Sequence, residues 1–273
     1  MRVAEPYFAN HQYKFVASTV FGMQIAGDTQ DFLHRCIYYF GVWEPNLTRW
    51  IGQRLEPGDT FVDVGANIGY YSLLASTLVG VSGGVVAIEP SPTIFAALQH
   101  NLVRNRVTNV RAVNVAASDR EGVVKLFRGP YHNLGETTTL EEQNLEVECE
   151  VDAIPLDAIL VPQEIHNARL VKIDVEGAEC SVVAGMSMLL SSCRPDLEII
   201  VEVHPEQLVR QGRRPEDLMR IFLDAGFYAY GLENDDSPLG YLLPRTQRRL
   251  MPIRSPVQHE SITIFSRQDS ERL

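Results

Sequence analysis

The stretch Phe61-Val-Asp-Val-Gly-Ala-Asn-Ile-Gly69 limits what this chain can fold into more than any other. Thr60–Val64 is a short apolar run that stops at a glycine, which reads as a buried strand. A helix is predicted over Ile68–Leu78 immediately afterwards. Gly65 lets the chain turn sharply after the strand, and Gly69 lets a ligand or the sheet come close to the helix. Amides at that helix N-terminus can face an anionic group such as a carboxylate. Asp63 can accept a hydrogen bond from a ligand ammonium, directly or through water. The competing possibility is a tight strand–helix turn that binds nothing. Asn67 occupies the central position of what would be a G-x-G-x-x-G turn, where a pyrophosphate needs glycine for close backbone approach. That departure argues against a nicotinamide or flavin site, and so against an oxidoreductase.

The rest of the chain repeats the strand–helix alternation. Strands are predicted at Val85–Ile88, Val110–Val115, Leu170–Ile173, Leu197–Val203, Phe227–Tyr230 and Ser261–Ser266. Val123–Phe127 and Val147–Val151 suit an inserted hairpin. Ser91-Pro92 opens a helix, because serine caps free amides and proline suits the first helical position. Further helices are expected from about Ala178 to Leu190 and from Pro215 to a stop at Gly226. This order implies an α/β, Rossmann-like fold with a mostly parallel sheet between helical layers. Ligands of such sheets bind beyond the C-terminal strand ends.

The residues at those ends carry the chemistry. Glu89 ends the second strand about twenty residues after Gly69, where a carboxylate can take both hydroxyls of a ribose. Ser118 and Asp119 lie where an adenine amino group would approach, although the pair also suits an Asx-type turn. Asp174, Glu176 and Glu179 follow a hydrophobic strand. Asp174 and Glu176 can orient an acceptor hydroxyl, act as base or help hold a divalent ion. Glu176 and Glu179 also suit a helix N-terminus for its dipole alone. His204, in Glu202-Val-His-Pro205, and His132, in the loop Tyr131–Thr138, are candidate general bases because histidine titrates near neutrality. Each can equally be structural.

Composition narrows the partners. A formal net charge of −11 disfavours a nucleic-acid backbone, which needs cationic surface. The arginines at 213 and 214, and at 245, 248 and 249, read as solvated surface. The four cysteines lack zinc-ligand spacing and are expected to be reduced thiols of a cytoplasmic protein. Phe15–Ala26 is fairly apolar but is interrupted by Ser18, Thr19 and Gln24, unlike a signal peptide. No stretch reaches the roughly 18–20 apolar residues of a membrane span. Residues 1–57 precede the first motif and are rich in aromatics, so they are expected to form a helical cap on a main domain of residues 58–273. Tyr38, Tyr39 and Trp43 can stack on an acceptor ring or form the core of that cap.

Taken together, FVDVGANIGYYSLLA at 61–75, AIEPSP at 87–92, NVAASD at 114–119, LVKIDVEGAE at 170–179 and IVEVHP at 200–205 resemble the FkbM-type branch of the class I S-adenosylmethionine-dependent methyltransferases. Residues 22–45 resemble the region ahead of that family's domain. The resemblance implies a seven-stranded, mostly parallel sheet with an antiparallel last strand. It implies O-methylation of a sugar or secondary-metabolite hydroxyl by in-line displacement, with S-adenosylmethionine as cofactor and no insertion into a membrane. It places Asp63, Gly65, Asn67 and Gly69 at the methionine part of the cofactor, Glu89 at its ribose and Ser118-Asp119 at its adenine, with Tyr70 and Ser91 alongside. A base (Asp174, His204, His132 or Glu176), or a magnesium ion held by Asp174 and Glu202, would handle the hydroxyl proton. An N- or C-methyltransferase of the same fold, or a non-catalytic subunit that keeps the cofactor fold, are the other possibilities.

Overall fold

The computed structural model describes residues 11–129, 137–139, 146–233, 240–241, 250–255 and 257–269. It opens with a hairpin of β1 (Lys14–Ser18) and β2 (Gln24–Asp28), then helices α1 (Phe32–Phe40) and α2 (Pro45–Gly52). The first alternating units are β3 (Thr60–Val64), α3 (Tyr70–Val79), β4 (Gly84–Ile88), α4 (Pro92–Arg104) and β5 (Val110–Val113). An insertion of β6 (Ala116–Ser118), β7 (Gly122–Phe127) and β8 (Val147–Pro155) leads through short helices α5 (Leu156–Ile159) and α6 (Pro162–Asn167). The second half comprises β9 (Ala168–Ile173), α7 (Glu179–Ala184), α8 (Ser187–Ser192), β10 (Glu198–Val203), α9 (Pro205–Arg210) and α10 (Pro215–Asp224). The last strands are β11 (Tyr228–Leu232), β12 (Met251–Pro252) and β13 (Ser261–Ser266).

The main sheet runs in the order β12-β11-β13-β10-β9-β3-β4-β5. It contains the seven expected strands plus the two-residue edge strand β12. β3, β4, β5, β9 and β10 pair in parallel, and β13 runs antiparallel to both β10 and β11. The order reverses between β3 and β9, which opens a crevice at their C-terminal ends.

Strand alternation sorts the side chains into two cores. Val62, Val64, Val171, Ile173 and Val201 face α7, α8 and α10 in one cluster. Phe61, Val85, Leu170 and Ile200 face α3 and α4 in the other. Ile25 of the hairpin and Ile37, Leu47 and Ile51 of α1 and α2 belong to this second cluster and are fully buried. Burying each such side chain is worth about 1.5–3 kcal/mol, so the N-terminal segment is bound to the sheet as core.

Two local features depart from the sequence expectations. The cap contains its two helices, but among the described residues a β-hairpin precedes them, in which Phe15 and Ile25 are buried apolar anchors. The helix expected over Ala178–Leu190 is two helices. A Cβ on Gly185 would lie 1.9 Å from the Ser118 carbonyl oxygen, so the end of β6 presses against the chain there. Asp157 then accepts hydrogen bonds from the amides of Met188 and Leu189, at 2.6 and 2.9 Å, and starts a new helix.

Candidate active site

A cleft of about 530 Å³ lies over the C-terminal ends of β3, β4, β9 and β10. One end is built from backbone. Gly65 sits at φ +83°, and a Cβ there would come within 1.8 Å of the Asp174 carbonyl oxygen. The β3–α3 turn therefore packs directly against the turn after β9. Asn67 follows at φ +49° and accepts a hydrogen bond from the Ile68 amide at 2.7 Å. Glu89 closes this end. Its Oε2 accepts from the Asn67 amide at 2.9 Å and its Oε1 from the Ser91 amide at 3.0 Å. Burial raises the Glu89 carboxyl, the two amides oppose the rise, and it comes to rest at about 7. Asn114 donates to the carbonyls of Glu89 and Pro90, both at 2.8 Å, and fixes the strand end.

The other end is built from charged side chains on the cap-facing side of the sheet. Lys172 is buried and places Nζ 2.7 Å from Asp174 Oδ2 and 5.0 Å from the centre of the Tyr71 ring. Tyr71 donates to Glu44 of the cap at 2.6 Å. Desolvation alone would raise Asp174, but the charge and hydrogen bond of Lys172 hold it below the usual carboxylate range. Glu202 is pushed well up, first by burial and then by the charges of Asp174 and Glu44. His204 places Nδ1 2.9 Å from Glu179 Oε1 and Nε2 3.4 Å from Glu176 Oε2. Burial would lower its pKa, but the hydrogen bond to Glu179 and the charges of Glu176, Glu179 and Asp174 raise it to about 9.

Gly65, Asn67, Glu89, Asp174, Glu176, Glu202 and His204 line the cleft together. Six other expected positions do not line it. Asp63 is fully buried and accepts from Ser72 Oγ of α3 at 2.6 Å. Tyr70 bonds Thr48 of the cap at 3.1 Å, and Gly69 packs so close to α4 that a Cβ would meet Leu98 at 2.5 Å. Ser91 caps α4 by accepting from the Ile94 amide and donates to Glu148. Ser118 donates to Asp119 at 3.2 Å, while Ala117 and Ala116, one and two positions earlier in the strand, line the cleft. His132 lies outside the described residues.

Phe32, Leu33 and Glu44 from the cap, Thr137 and Thr139, and Glu260 also line the cleft, although no motif marks them as site residues. Of the three cap aromatics considered, Trp43 reaches it, packed edge-to-face on Phe32 at 5.8 Å. Tyr38 instead packs on Phe15 at 4.8 Å.

A magnesium ion does not suit the pair Asp174–Glu202. The ammonium of Lys172 already pairs with Asp174 at 2.7 Å, and burial together with the charges of Asp174 and Glu44 disfavours the ionised form of Glu202. Glu202, His204 and Glu260 have ligand atoms within 4.8 Å of one another, but both ring nitrogens of His204 are directed at Glu179 and Glu176.

A mostly parallel sheet with an antiparallel last strand and a buried acid at the end of β4 matches the class I methyltransferase fold that the sequence resemblance implies. Residues 63–228 match the methyltransferase FkbM domain, and the chain belongs to that methyltransferase family. It is 32% identical over 182 residues to 31-O-demethyl-FK506 methyltransferase FkbM of Streptomyces tacrolimicus, covering 56% of this chain and 68% of that one. It is 28% identical to hexuronic acid methyltransferase AglP of Haloferax volcanii, covering 67% and 69%. A crystal structure of methyltransferase FkbM from Methylobacillus flagellatus KT aligns with a TM-score of 0.47 at 16% identity, over 80% of this chain and half of that one.

Proposed function

We propose that this protein methylates a hydroxyl oxygen of a sugar or secondary metabolite, using S-adenosylmethionine. The observation that carries this reading is Glu89, a carboxylate held at the strand end by two backbone amides, in one cleft with the Gly65–Asn67 turn and the ionised Asp174. Glu89 would take the ribose hydroxyls. The Gly65–Asn67 turn would face the methionine part, and Ala116 and Ala117 the adenine. S-adenosylmethionine, when bound there, supplies a methyl group on a sulfonium sulfur. Asp174 orients the acceptor hydroxyl and takes its proton, and Lys172 keeps Asp174 ionised for that task. His204, already protonated at neutral pH, positions Glu176 and Glu179 and is not the base. The names of the two relatives, 31-O-demethyl-FK506 methyltransferase and hexuronic acid methyltransferase, support oxygen as the acceptor atom.

Calorimetric titration with S-adenosylhomocysteine, with NAD as control, tests the cofactor. Micromolar binding of S-adenosylhomocysteine alone is expected, and binding of NAD instead would overturn the assignment. A screen of hydroxyl and amine acceptors with a radiolabelled methyl donor then tests the atom methylated. Transfer confined to amines would overturn the oxygen reading.

A further inference from the structure

Lys172 stands between two carboxylates. It is the register partner of Asp63 on the neighbouring strand β3, and register partners leave the same face of a sheet. Asp174 follows two residues later, where it lines the cleft. Burial alone would lower the pKa of the Lys172 ammonium, but the charge of Asp174, then that of Asp63, raises it. The ammonium bonds Asp174, at 2.7 Å. Asp63 accepts from Ser72 Oγ on Oδ2, and no described side chain donates to its buried Oδ1. A buried carboxylate is stabilised by a paired cation, so Asp63 competes with Asp174 for Lys172. Tyr71 is placed to decide that competition. It precedes Ser72 on α3, and the Lys172 ammonium sits over its ring, 5.0 Å from the centre. An aromatic face attracts a cation within about 6 Å, most strongly out of water, and both residues are buried. The ring is held from two sides. Tyr70 packs against it edge-to-face at 5.2 Å, and its own hydroxyl donates to Glu44 of the cap at 2.6 Å.

We propose that Tyr71 is a positioning residue that commits Lys172 to Asp174 in preference to Asp63, its ring seating the ammonium and its hydroxyl tying that seat to the cap. The use made of the ionised Asp174 rests on the methyl-transfer reading above. Tyr71 touches neither cofactor nor acceptor in this account and acts on the reaction through Lys172 alone. The other titratable groups around the pair are Glu202 and His204 at the end of β10, Glu176 in the turn after Asp174, and Glu44 of the cap. The variants below leave all four in place.

NMR on protein carrying isotope-labelled lysine and aspartate tests this with neither cofactor nor acceptor. The chain has three lysines, and Lys14 and Lys125 are exposed. In wild type the side-chain methylene protons of Lys172 next to the ammonium should be shifted upfield by the Tyr71 ring, and should remain so in Tyr71→Phe. The Asp174 carboxyl signal is the one lost in Asp174→Asn. Tyr71→Phe keeps the ring, so Asp174 should titrate as in wild type, while hydrogen exchange of the α2 amides quickens. Tyr71→Met removes the ring, and the Asp174 midpoint should rise by at least about one pH unit, a tenfold shift in its protonation equilibrium. Adding Asp63→Asn to Tyr71→Met removes the competitor and should return most of that rise. An equal rise in Tyr71→Phe, no rise in folded Tyr71→Met, or a double variant that titrates like Tyr71→Met would overturn the proposal. So would a Lys172 signal without the ring shift in wild type, whether or not Tyr71→Met folds. Failure of S-adenosylhomocysteine to bind would bring down the cofactor reading and leave these spectra unaltered.

Discussion

The two ends of the cleft hold their chemistry in different ways. At the cofactor end, Glu89 is fixed by the amides of Asn67 and Ser91, residues close to it in the same βαβ unit. At the acid end, Asp174, Lys172, Glu202, Glu44 and His204 come from β9, β10 and the cap, and beside burial it is their mutual charges that hold Asp174 down and push Glu202 up. A site held by local amides tolerates change around it. A site held by mutual charge does not, because removing one partner leaves an uncompensated charge in a poorly solvated place.

The largest expected effect tests that contrast directly. Lys172→Met should cost about 3–5 kcal/mol of stability in urea unfolding, since Asp174 loses its partner and Asp63 a nearby cation. The folded fraction should still bind S-adenosylhomocysteine within threefold of wild type. Equal loss of binding would show that the ends are not separable. Glu89→Ala should do the reverse. Calorimetry should show affinity falling at least about 100-fold, close to 2.7 kcal/mol, with little change in thermal midpoint. Once an acceptor turns over, Asp174→Asn should lower kcat about 100-fold, the low end for a positioned base, with cofactor binding intact. Unchanged turnover would remove Asp174 from catalysis.

Titration sharpens the comparison with smaller effects. Glu89 sits at about 7 in the folded protein, and the ribose role proposed for it calls for its ionised form. S-adenosylhomocysteine affinity should therefore rise about tenfold between pH 6 and 8, a trend that calorimetry at several pH values reads and that Glu89→Gln should flatten. His204 runs the other way. Its folded pKa of about 9 lies above the ordinary 6.5, so its contribution to stability is complete below pH 6.5 and is lost as pH rises through 9. The thermal midpoint should decline over that window in wild type, and less steeply in His204→Asn.

The same contrast explains what was legible in the sequence. Glu89, Gly65 and Asn67 were legible because strand, turn and acid follow one another within one unit, and spacing alone places them. Asp174 and His204 were legible as strand-end residues, but their protonation was not. The free imidazole value made His204 a base, whereas two carboxylates from another turn make it a cation at neutral pH. Glu44 and Glu260 were invisible, since nothing in a linear sequence brings position 44 and position 260 to the same rim. Tyr70 and Ser91 lie in the right motifs but turn to Thr48 and to the α4 cap. The split of the helix at Gly185 depended on contact with Ser118, some 67 positions away.

β13 lies between β10 and β11 although it follows both in the chain. Those two strands stay apart until the last one enters between them, and Glu260 stands at its entrance. The Glu89 end of the cleft closes through short loops, whereas the end that includes Glu260 waits for contacts of high sequence separation, which form slowly. In refolding, the ability to bind the nucleoside should return in an earlier kinetic phase than the ability to recognise the second substrate.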